Sequence, residues 1–70
     1  MKNKEIIFII EESVDGGYEA RAAGFSIFTQ GETIEEVKDN IVEAVRCHFD
    51  EKEMPSLINL RFLKEEVIAL

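Results

Sequence analysis

The usual fastenings of a very small domain are missing from this chain. Cys47 is its one cysteine, so no disulfide can close within it. His48 is its one histidine, and no CxxC or HxxxH spacing occurs, so no metal-ligand cluster can be read from the residues. With 70 residues there is room for one domain only. A chain of that size hides about 60% of its unfolded surface and has a marginal core. The fastening that remains is a second copy of the chain, so a homo-oligomer, a dimer or larger, is expected. A lone thiol fits a reducing cytoplasm.

Long apolar runs are missing too. Residues 6–10 are apolar without interruption, but five residues are too few for a membrane span or the core of a secretory signal. Lys2 and Lys4 precede the run, and no small-residue cleavage site follows it closely. The chain reads as soluble and cytoplasmic, with no membrane partner. Positive charge is scarce: eight basic residues against fifteen acidic give a net charge of −7. Nucleic-acid affinity comes largely from Lys and Arg neutralising phosphates, so direct binding to nucleic acid is not expected. The acidic balance serves solubility, or a basic partner.

What is present reads as strands around one helix. "EIIFIIEE", residues 5–12, is rich in β-branched and aromatic side chains. Its unbroken apolar centre suggests a strand inside the sheet with both faces in use. "DGG" at 15–17 supplies the positive φ angles of a tight hairpin. A phosphate-cradling glycine loop would lead into a helix, whereas this one leads into "YEARAA". There Tyr18, Ala20 and Ala22 alternate with Glu19 and Arg21. The small side chains of Ala20, Ala22 and Ala23 leave space for a helix to approach. Gly24 marks a second reversal or a bulge, and "FSIFT", residues 25–29, makes a third strand.

"TIEE" is a capping box, with Thr33 as N-cap and Glu36 three residues on. Ile34, Val37, Ile41, Ala44, Val45 and His48 then share one face at about 100° per residue. Glu36, Asp39, Glu43 and Asp50 line the opposite face. "DEKEMP" closes the helix, since Pro55 bars helix for the residue before it. A fourth strand is expected across residues 59–68, broken near Lys64, Glu65 and Glu66, with helix as the competing reading.

The order is β-β-β-α-β. Two hairpins and a right-handed helical crossover give an α+β fold with sheet order 3-2-1-4 and one helix on one face. One helix cannot cover both faces of such a sheet. Phe8, Ile10 or their neighbours are then expected on an open side, where copies of the chain would associate.

"DGGYEARA" followed by "TQGETIEEVKDNIVEAV" resembles the HicB-like antitoxin family, in the form of short stand-alone UPF0150-type proteins. Gly16, Gly17, Tyr18, Thr29, Gly31, Thr33, Glu35, Glu36, Asn40, Glu43 and Ala44 carry the resemblance, over about the first two thirds of the chain. It implies a partial ribonuclease H-like fold over residues 1–70. It also implies an antitoxin role: longer HicB proteins bind and mask HicA, a small basic ribonuclease toxin. Those longer proteins add a C-terminal DNA-binding module. The chain stops at Leu70 with no such module, so autoregulation by DNA binding is not expected.

A ribonuclease H-like fold raises the question of nuclease chemistry, which needs clustered carboxylates around two metal ions. The first should stand in the middle of the first strand, where Ile6, Ile7, Phe8, Ile9 and Ile10 are found. Cys47 and His48 are neighbours on a helix, about 100° apart, so they do not form a nucleophile–base pair. His48 is expected to pack on the apolar stripe with its hydrogen bond satisfied, and Cys47 to be structural or incidental. No catalytic constellation and no cofactor site is read. The acidic stripe of Glu36, Asp39, Glu43 and Asp50 is either a solvated face or a docking surface that masks a basic partner. Arg21 and Arg46 are expected in local ion pairs.

Overall fold

The apolar run of the first strand organises the molecule. The computed structural model describes residues 4–70, so Lys2 lies outside the described residues. Strands β1 (Glu5–Glu12), β2 (Tyr18–Ala22) and β3 (Phe28–Gly31) precede helix α1 (Ile34–His48), and β4 (Leu57–Phe62) follows it. The sheet order is β3-β2-β1-β4. β1 and β2 are antiparallel, as are β2 and β3, while β4 runs parallel to β1. The chain is therefore α+β, a mixed four-stranded sheet with one helix, in the order expected.

Alternation along β1 divides its apolar residues between two faces. Ile6, Phe8 and Ile10 are buried beneath α1. Ile7 and Ile9, half-buried, face the side no helix covers. Phe8 and Ile10 thus belong to the core, and it is their neighbours that look outward. Ala22 sits opposite Phe8 and Ala20 opposite Ile10. Both alanines are buried with Val37, Ile41 and Val45 of the helix. Ala23 is exposed and plays no part in that approach.

The bounds of β3, α1 and β4 differ from those read in the sequence. β3 starts three residues later than expected, because residues 22–27 close a turn in which the Ala22 amide donates to the Ile27 carbonyl at 3.0 Å. β3 then runs on to Gly31. α1 ends at His48, well before Pro55. Phe49 adopts an extended backbone, with its ring edge-on to Phe25 at 5.3 Å between centroids. β4 starts two residues early, since the Ser56 and Leu57 amides both donate to the Lys4 carbonyl at the head of β1. It stops at Phe62, and residues 63–70 are exposed without regular structure, neither strand nor helix.

Candidate functional site

The corner between β3 and α1 carries most of the residues that make the sequence distinctive. Thr33 caps the helix: its hydroxyl accepts from the Glu36 amide at 3.1 Å. The Glu36 carboxylate accepts in return from the Glu32 amide at 2.7 Å. This satisfies amides that have no partner within the helix. One turn further, the Asn40 side-chain amide donates to the Gln30 carbonyl at 2.7 Å, tying α1 to β3. Gly31 lies so close beneath the first turn that a Cβ there would stand 2.8 Å from the Val37 nitrogen. Gly17, at φ +78°, turns the chain beside Gly31; a Cβ on it would stand 2.8 Å from the Gly31 oxygen. These residues build the corner rather than presenting chemistry at it.

The outer face of α1 is acidic, but its four predicted members do different jobs. All four are exposed. Glu36 is engaged in the cap. Asp50 lies beyond the helix, and its carboxylate accepts from the Glu53 amide at 3.1 Å to close a turn. The expectation that it extends the helical stripe is corrected: the chain leaves the helix at Phe49, where that ring joins the half-buried residues against the core. Asp39 and Glu43, one turn apart, are left to form the helical part of the acidic face. Arg21 pairs with Glu11 at 2.7 Å, as expected. Arg46 does not: among the described residues no carboxylate lies within salt-bridge distance of it.

His48 also departs from expectation. It is exposed, past the last buried helical residue Val45, and its ring meets Phe49 edge-on at 4.8 Å and Phe25 at 6.2 Å. Cys47 is a free, exposed thiol. The middle of β1 is apolar throughout, and Glu11, at its end, is held by Arg21. Among the described residues no three His, Cys, Asp or Glu side chains gather closely enough to hold a metal ion. No helix there is long and apolar enough to cross a membrane.

An open groove of about 780 Å³ lies where β1 and β4 end, below the start of α1. Ile10, Tyr18, Ile34, Phe62, Leu63 and Lys64 line it. Glu11, Glu12 and Glu65 complete the lining. The sequence did not point to this groove, because its walls come from four separate elements. The signal that bears on it is the apolar "VIAL" at 67–70, separated from the end of β4 by Leu63 and the charged Lys64, Glu65 and Glu66.

No family model matches the chain, and no solved structure does either. Two similar proteins carry the description UPF0150 protein. One, from Thermotoga maritima, is 51% identical over 67 residues, covering 96% of this chain and 94% of its own length. The other, from Archaeoglobus fulgidus, is 54% identical over 52 residues, covering 74% of this chain and 77% of its own length. At that identity over nearly the whole length, the chain belongs to the UPF0150 family.

Proposed function

We propose that this protein is a non-enzymatic, HicB-like interaction module with a ribonuclease H-like strand order, working in the cytoplasm as a homo-oligomer. In this reading it docks a small basic protein, of the kind represented by HicA-like ribonuclease toxins, on the outer face of α1. The observation that carries it is the position of Asp39 and Glu43: exposed, one turn apart, on a helix clamped to the sheet through Asn40, in a chain of net charge −7. Carboxylates carried on a helix tied to the sheet are already spaced to meet a basic surface, and long-range attraction speeds encounter. The carboxylates would stand where RNA phosphates otherwise bind, so masking is both steric and electrostatic.

The test is purification from native cells at low and high salt, followed by mass spectrometry, with D39N/E43Q alongside. A basic protein kept at low salt, shed at high salt and lost with the double variant is the expected result. Recovery of nothing but the chain itself sinks the toxin-masking reading. A second reading, a stand-alone oligomeric module with some other partner, draws support from the exposed apolar segment after β4.

A further inference from the structure

We propose that residues 63–70 are an exchanged arm: the arm of one copy lies in the groove at the ends of β1 and β4 of a second copy, and the second returns its own. This deepens the self-association part of the reading above and is independent of the basic partner.

The arm is apolar where it is most exposed. Val67 is 85% and Ile68 83% exposed, and Leu70 is fully so. Single apolar residues at a surface are ordinary, but a contiguous run marks a contact. Four apolar residues in succession from 67 to 70 match a segment covered on both sides.

The dimensions point the same way. The molecule measures 52 × 21 × 19 Å with a radius of gyration of 13.7 Å. A compact chain of this length has a radius near 11 Å. Its accessible surface is 5795 Å². A folded monomer of 8.0 kDa presents about 4,450 Å² by the usual scaling with mass. The excess of roughly 1,300 Å², to which the projecting arm itself contributes, is of the order of the ~800 Å² that each partner gives a standard stable interface.

The arm's own groove is the wrong destination for it. Phe62, Leu63, Lys64 and Glu65 at the arm's root are part of that groove's lining, so filling it from the same chain needs a sharp reversal. Between Leu63 and Val67 stand only Lys64, Glu65 and Glu66, with none of the Gly, Pro, Asn, Asp or Ser that reversals use. A second copy needs no reversal. Because the root is itself a wall of the groove, a twofold axis sets each arm antiparallel to the root of the other, a self-complementary contact. Tyr18 and Ile34, half-buried, offer an apolar floor above the buried Ile10, and β4, whose outer edge pairs with no strand among the described residues, offers backbone partners for an added strand.

The test is sedimentation velocity over a concentration series, on the full chain and on V67D/I68D, with circular dichroism on both. The full chain should run at an even multiple of its mass, and V67D/I68D should run as a folded monomer. Mixing Ile34→Cys protein with Val67→Cys or Ile68→Cys protein, all carrying Cys47→Ser, should give a disulfide between two chains on oxidation. The inference is overturned by a full chain that is monomeric at every concentration, or by V67D/I68D that associates undiminished. It is also overturned if no disulfide joins the two chains while a control chain carrying Ile34→Cys and Val67→Cys together closes one within itself. D39N/E43Q should leave the assembly mass unchanged, and V67D/I68D should leave capture of a basic protein unchanged, so the two readings fail separately.

Discussion

At the scale of single residues, the distinctive motif is a set of steric and hydrogen-bonding requirements at one corner. Gly31 is the severe one. In Gly31→Ala the new Cβ would meet the Val37 nitrogen at 2.8 Å and the Glu36 carbonyl carbon at 3.1 Å, both backbone atoms that cannot swing aside. The expected loss is about 1–3 kcal/mol, as for overpacking elsewhere. Gly16→Ala is the useful contrast: its Cβ meets nothing within 4 Å, and only the positive φ of 95° is strained. That costs about 1–2 kcal/mol. Thr33→Ala, which leaves the Glu36 amide without its acceptor, should cost about 0.5–2 kcal/mol. Urea unfolding of the three variants checks this, and a Gly31→Ala variant as stable as the parent would contradict the close approach. The cap was legible in the sequence because Thr33 and Glu36 bond across three residues. The reason for Gly31 was not, because it depends on how near a folded helix comes to a strand. His48 was misplaced for a related reason: periodicity gives a side chain its direction, not whether anything lies opposite.

At the scale of elements, legibility followed the strength of the repeating pattern. β1 and α1 were correctly bounded at their starts because apolar density and capping chemistry are local signals. β3 slipped because Ile27, buried though outside the strand, makes "FSIFT" look continuous. β4 slipped because its start is set by the Lys4 carbonyl, far away in sequence. The helix ended early where Phe49 turns extended and packs its ring against the core and Phe25, contacts that no local pattern announces. α1 is the sheet's one helical cover, so its two faces should respond very differently to truncation. Ile41 is 1% exposed and Val42 40%. Ile41→Ala removes core volume and should cost about 2–5 kcal/mol. A domain of this size has a total stability of only about 3–10 kcal/mol, so that loss takes a large share of it and should lower the melting temperature by roughly 8 °C or more. Val42→Ala should change stability by less than about 0.5 kcal/mol. Thermal melts followed by circular dichroism separate the two, and equal effects would mean that the helix does not pack as described.

At the scale of the whole molecule, an exchanged arm makes stability a property of concentration. The native assembly is favoured by mass action, whereas unfolded chains are separate. A tenfold rise in protein concentration is worth about 0.7 kcal/mol per chain in a dimer, which should raise the melting temperature by roughly 3–6 °C. V67D/I68D should melt at one temperature whatever its concentration. Salt adds a second signature. Each copy carries −7, and an incoming arm brings Glu65 and Glu66 toward Glu11 and Glu12 at the groove. Adding salt screens that repulsion, so self-association should tighten several-fold between low and moderate ionic strength. Docking of a basic protein on Asp39 and Glu43 should weaken over the same range, because there the screened interaction is attractive. Calorimetric melts at two protein concentrations and two salt concentrations read both signatures at once. A melting temperature independent of concentration would mean that the arm is solvent-facing in the native protein. A concentration-dependent one that falls with salt would place the contact between opposite charges and away from this groove.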